Sequence, residues 1–279
     1  MDFLPPALRQ SQWLYPALAL VVALASILLV TLFRSRTPGK VKSGNSILLL
    51  GPSDSGKTAI LTRLTYGQFL PTHTSLQTNQ TVFTPEGASK PYNLADIPGH
   101  PRIRAQFTEA LDGAKGIVFV VDSSTIARNG ATVAEHLHSV LHAITQLPPS
   151  AHTPSILIMA NKADLVSASS SSPRETVAAE RVRMVLEREL EKRRQSSLTG
   201  VGVGGLGEND NEADEGAIQG GLETMGDGPF SFAKWEGGEV TIAGGFVDKQ
   251  TKEKLEAATE KGEVADDGLA NLHSWLEGL

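Results

Sequence analysis

Ser46-Ile47-Leu48-Leu49-Leu50-Gly51-Pro52-Ser53-Asp54-Ser55-Gly56-Lys57-Thr58 joins a short apolar run to a loop bounded by glycines. Ala59 to Tyr66 (AILTRLTY) continues it with helix-compatible residues. Strand, loop and helix in that order are the context the pattern GxxxxGK[ST] requires. The glycines let the backbone close around a phosphate, and the loop N–H groups with the helix N-terminus supply positive potential. The expected phosphate-binding residues are Gly51, Ser53, Asp54, Ser55, Gly56, Lys57, Thr58 and Ala59. Lys57 would reach the β- and γ-phosphates, and the Thr58 hydroxyl would ligate Mg²⁺.

Two further motifs follow in order. Asp96-Ile97-Pro98-Gly99-His100 comes after the strand-like Tyr92-Asn93-Leu94-Ala95 and before a helical stretch at 102–111. There Asp96 would hold Mg²⁺ through water, and the Gly99 N–H would meet a γ-phosphate. Asn161-Lys162-Ala163-Asp164 comes after another apolar run, Ser155 to Ala160. The Asp164 carboxylate can accept from guanine N1–H and the 2-amino group together, whereas adenine leaves it unpaired; such a site discriminates strongly. Lys162 would lie along the base, and Asn161 would tie its loop to the phosphate loop. The expected ligands are therefore GTP or GDP with Mg²⁺. Between Thr58 and Asp96 a switch must sense the γ-phosphate. Thr72, Thr74 and Ser75 are its candidates, with Thr74 preferred as a metal ligand and Thr72 the alternative.

Residues 13–33 read WLYPALALVVALASILLVTLF, without a charged side chain. That is about the 20 apolar residues needed to cross about 30 Å of hydrocarbon. A signal peptide would have a shorter apolar core and a basic start; here the start carries Asp2 and Arg9. Arg34, Arg36, Lys40 and Lys42 follow the span, so the positive-inside rule puts the remainder in the cytosol and the N-terminus in the lumen. The expected domains are a lumenal 1–12, a transmembrane helix 13–33, a basic linker 34–44 and a nucleotide-binding domain 45–279. A net charge of -6 argues against direct DNA binding. The absence of cysteine excludes disulfides and a thiol nucleophile.

With these motifs in place, the chain resembles the small GTPase superfamily, and within it the beta subunits of the signal recognition particle receptor. The residues carrying the likeness are one N-terminal span, GPSDSGKT (51–58), THTSLQTN (72–79) and DIPGH (96–100). The resemblance implies an α/β P-loop domain with a mostly parallel six-stranded sheet, helices on both faces and one transmembrane helix ahead of it. It also implies an endoplasmic reticulum anchor for the receptor alpha subunit, with ribosome or translocon contacts, in co-translational targeting. His100 takes the place where many GTPases have a water-orienting Gln; a neutral imidazole could do that job, but the family likeness implies slow or partner-dependent hydrolysis. The last base-contacting loop departs from the superfamily pattern: Ala243 could offer its N–H to guanine O6, yet no Lys follows it. Alternatives are an Arf/Sar-like trafficking GTPase and a nucleotide-stabilised scaffold without productive turnover.

Elsewhere, residues 115–122 (KGIVFVVD) read as a central strand, 131–147 as a helix and 174–195 as a charged helix with Val182, Val185, Leu186 and Leu190 on one face. Lys192, Arg193 and Arg194 read as a solvated helix end, with a ribosome or lipid contact as the alternative. Residues 196–228 are Gly-rich and acidic and are expected to be a disordered insert. Leu269, Leu272, Trp275, Leu276 and Leu279 form a helical stripe for the sheet. His138 and His142 are expected on the surface.

Overall fold

The computed structural model describes residues 19–24, 26, 44–85, 91–168, 172–199, 218, 220–226, 228–247 and 268–279. The chain divides into two units, Met1–Lys40 and Val41–Leu279. In the first, residues 19–24 and 26 are helical and exposed. Among the described residues no helix is long and apolar enough to cross a membrane. The expected 13–33 span is described only at these positions, and the expected 1–12 and 34–43 segments lie outside the described residues.

The second unit is built on β1 (Ser46–Leu50), α1 (Lys57–Tyr66), β2 (Asn79–Phe83), β3 (Tyr92–Asp96), α2 (Phe107–Leu111), β4 (Ala114–Asp122), α3 (Ile126–Thr145), β5 (Ser155–Asn161), α4 (Arg174–Thr199), β6 (Val240–Gly244) and α5 (Ala270–Gly278). The sheet order is β2-β3-β1-β4-β5-β6. Only the β2–β3 pair is antiparallel; the other pairs are parallel. A parallel strand covered on both faces reads as continuous apolar sequence, and β1 is buried at all five positions. The two-residue period divides the strands between two cores. Leu48, Leu50, Ile117, Phe119, Ile156 and Ile158 face one core with α3 and α4. Ile47, Leu49, Val118, Val120, Leu157 and Met159 face the other, with Ile60 and Leu64 of α1 and Leu272 and Leu276 of α5.

The apolar face expected on the 174–195 helix is seen in the structure. On α4, Ala178, Val182, Leu186 and Leu190 recur every four residues and are fully buried. Gly130 of α3 lets this helix approach closely, since a Cβ there would lie 2.5 Å from Val185 Cγ1. The final helix packs as its stripe predicts, with Leu269, Leu272 and Leu276 buried and Trp275 and Leu279 partly so.

Two expectations are corrected. Part of the 196–228 insert is ordered: 196–199 continue α4, and its residues 220–226 and 228, together with 229–235 beyond it, fold over the α3–α4 face. Leu222, Phe230, Phe232 and Trp235 are buried there. Glu187 accepts the Phe232 N–H at 3.0 Å and Glu191 the Phe230 N–H at 2.7 Å. These aromatic residues supply the apolar burial that the glycine-rich composition upstream lacks. Residues 200–217 lie outside the described residues. The same stretch covers His138, which is buried rather than on the surface, its Nε2 2.9 Å from the Gly220 carbonyl oxygen. Among the basic residues at the end of α4, Lys192 pairs with Glu189 at 3.0 Å, Arg193 with Glu135 at 3.6 Å and Arg194 with Glu191 at 2.9 Å.

Candidate functional site

The C-terminal ends of β1, β3, β4 and β5 lie along one edge of the sheet, where open α/β sheets bind their ligands. From β1 the chain turns through residues 51–56 into α1. Gly56 stands at φ 96, and a Cβ there would run into the Asn161 amide. The helix has no side-chain N-cap, so its first N–H groups are left to other partners. Lys57 is buried, its Nζ donating to the carbonyls of Gly51 (2.9 Å) and Pro52 (2.8 Å). Burial pulls its pKa down to about 8, against the pull of Asp96 and Asp54. Ser53, Asp54, Gly56, Lys57, Thr58 and Ala59 line a cavity of about 290 Å³, which Thr72, Thr74, Ser75, Gly99 and Lys162 complete. Gly99 sits so close to the loop that a Cβ would lie 2.6 Å from the Ser53 nitrogen.

Asp96, at the end of β3, is fully buried. Its Oδ2 accepts the Thr58 hydroxyl at 2.6 Å and the Ser75 hydroxyl at 3.3 Å. Its Oδ1 is buried and has no hydrogen-bond partner among the described residues. A buried carboxylate oxygen without a partner is costly. Burial accordingly pushes the Asp96 pKa up, with the Thr58 hydrogen bond and Lys57 opposing. One carboxylate with flanking hydroxyls suits Mg²⁺, which keeps several of its waters and needs few protein ligands. The switch threonine expected as a further ligand is placed elsewhere: Thr74 donates to Asp54 Oδ1 at 3.3 Å. Ser75 takes that position instead, 3.0 Å from the Thr58 hydroxyl. Thr72 lines the cavity.

The third motif meets the first. Asn161, at the end of β5, donates to the Ser55 carbonyl at 2.8 Å. Lys162 has φ 59, and its Nζ bridges the Asp54 carbonyl (2.8 Å) and Asp122 Oδ2 (2.7 Å). Asp122 was absent from the sequence-derived site. Its only signal is that it ends the β4 run level with Asn161. Burial works against its charge, but hydrogen bonds from Lys162 and Ser124 hold its pKa below the usual carboxylate value. Asp164 is exposed in the turn Ala163–Leu165, its carbonyl accepting from Arg174 at 3.2 Å. Ala243 lies inside β6 opposite Met159, while the strand exit reaches the Asn161–Asp164 turn through Ala163 N–H to Gly245 O at 3.1 Å. His100 is exposed, and its Nδ1 accepts the Arg102 N–H at 3.3 Å.

This geometry has known counterparts. The family model described as "Signal recognition particle receptor beta subunit" matches residues 42–236. The human signal recognition particle receptor subunit beta is 36% identical over 175 residues, which are 62% of this chain and 60% of that protein. The chain thus spans about three fifths of that relative's length. Among solved structures, the mammalian SRP receptor aligns with 77% of this chain and 98% of its own at 26% identity, TM-score 0.57. The receptor SRb-GTP/SRX complex from Chaetomium thermophilum covers 77% and 99% at 21% identity, TM-score 0.52, a likeness of fold. With the matched region running from ahead of β1 to the aromatic cluster over α4, the chain belongs to the family of signal recognition particle receptor beta subunits.

Proposed function

We propose that this chain is a GTP-binding subunit anchored in the endoplasmic reticulum membrane by residues 13–33, and that its cytosolic domain docks the receptor alpha subunit. The observation that supports the nucleotide site best is the buried Asp96: its Oδ1 has no partner among the described residues, and its Oδ2 is bonded to the hydroxyls of Thr58 and Ser75, which line a cavity walled by the phosphate loop. Thr58 and Asp96, with a hydroxyl of the 72–75 stretch, would hold Mg²⁺. When bound, that ion neutralises charge on the β- and γ-phosphate oxygens. Lys57 would recover its full charge beside the phosphates, because a neighbouring anion raises a lysine pKa that burial has lowered. The ends of the base pocket would be Asn161, Lys162 and Asp164, with the exit of β6 near them.

His100 bears on turnover. Its Nδ1 accepts a backbone N–H, so the neutral ring carries its proton on Nε2 and presents a donor there. Such a ring can orient a water but does not take its proton. This favours slow or partner-dependent hydrolysis and keeps the nucleotide-stabilised scaffold as a second reading.

The test is affinity capture from solubilised microsomes with the full chain loaded with a non-hydrolysable GTP analogue or with GDP. Preferential recovery of the alpha subunit in the triphosphate state is expected; recovery of coat or tethering proteins in its place would move the chain to the trafficking reading. Lys57→Ala should bind GTP at least 100-fold more weakly, on the scale of a lost buried charge contact. Tight binding by this variant in equilibrium titration would overturn the site.

A further inference from the structure

Asp54 occupies the left-handed region at φ 61, which is disfavoured for residues with a Cβ and best tolerated by Asp and Asn. The conformation is braced from behind: the Asp54 carbonyl accepts Lys162 Nζ at 2.8 Å, and that lysine is paired with Asp122 at 2.7 Å. The exposed Asp54 side chain lines the same cavity as Lys57 and Thr58. Its Oδ1 accepts the Thr74 hydroxyl at 3.3 Å. Thr74 is thereby held apart from the Thr58–Asp96 pair, where Ser75 is bonded.

A carboxylate on the wall of a phosphate cavity has the same charge as the ligand, and at this exposed position the repulsion acts at short range and is reduced by salt. Resting on the nucleotide reading above, we propose that Asp54 sets the rate of nucleotide release. Its charge opposes the phosphates, and its Oδ1 gives Thr74 a partner away from the metal side. The loop therefore carries its own brake on tight binding. Both residues line the cavity: Lys57 attracts the phosphates while Asp54 repels them. The left-handed backbone, held through Lys162, keeps Asp54 in place.

The test measures release of fluorescently labelled GDP from the full chain in detergent, started by excess unlabelled GDP. Asp54→Asn keeps the left-handed backbone and the hydrogen-bond acceptor while removing the charge. Its release is expected to be slower by about tenfold, the order of one charge contact near a protein surface. The ratio of wild-type to variant rates should shrink as KCl is raised, which a merely structural role would not produce. Asp54→Gly, which also tolerates the backbone, removes the acceptor as well and should slow release further. Equal rates in the two variants would strike out the Thr74 contribution. Unchanged or faster release in both, with labelled GDP still bound, would overturn the inference alone. Failure of the wild-type chain to bind labelled GDP would overturn the nucleotide reading and this inference together.

Discussion

Asp164 is the residue on which base choice should turn. A carboxylate pairs with guanine, whereas an amide at the same position prefers xanthine, whose 2-position carries a carbonyl. Asp164→Asn should therefore lower the preference for GTP over XTP by roughly 100-fold, since the wrong base leaves polar groups unpaired. Competition binding with the two nucleotides checks this, and an unaltered preference would remove Asp164 from the site. His136 raises a different question at the same scale. It is buried on α3 with neither ring nitrogen bonded, its ring edge-on to Phe119 at 5.3 Å. Burial, then the charges of Arg104 and Lys57, lower its pKa to about 3. Between the unfolded value and 3 the unfolded chain takes a proton that the folded one refuses. Its contribution is thus present above about pH 6.5 and is lost as pH falls below it. From pH 7 to pH 5 the loss is about 2 kcal/mol. Urea unfolding of wild type and His136→Leu at the two pH values should show a shallower pH dependence in the variant.

At the scale of elements, α3 and α4 pack in close contact. Gly130 meets Val185 there with no room for a side chain. Gly130→Val should destabilise the fold by about 2–3 kcal/mol, the range for overpacking a tight core. Combining it with Val185→Ala should restore part of that loss, a coupling expected only of residues in contact. Denaturant titration of the single and double variants checks both. Of these two helices, α4 carries Glu187 and Glu191, which hold the 230–232 backbone. This aromatic stretch was hidden in the sequence because its neighbours in the chain are glycine-rich and acidic. The residues that bury it stand some 40 positions earlier on α4.

For the whole molecule, the apolar run at 13–33 and the basic residues after it predict that the nucleotide-binding domain faces the cytosol. Protease added to sealed microsomes should digest the 45–279 domain. Its protection would reverse the orientation. The sheet order places β1 between β3 and β4, and this brings three motifs far apart in the chain to one edge. Family membership accords with that arrangement, since the match extends across all of the motifs.

The phosphate loop, the Asp96 turn and the Asn161 turn were legible in the sequence because each presents its groups from a few contiguous residues. The strand periods likewise announced the core, since burial on both faces leaves long apolar runs. Contacts between loops were not legible. That Ser75 stands by Thr58 while Thr74 reaches Asp54, that Lys162 meets Asp122, and that His138 is covered by Gly220 all join residues 17 or more positions apart. Local propensity and spacing carry no record of which loop lies over which. The sequence by itself determined which residue types stand in the three motifs and their order along an α/β frame. Only the tertiary structure decided which hydroxyl meets which carboxylate, because those distances depend on how the sheet and its two helical layers close upon one another.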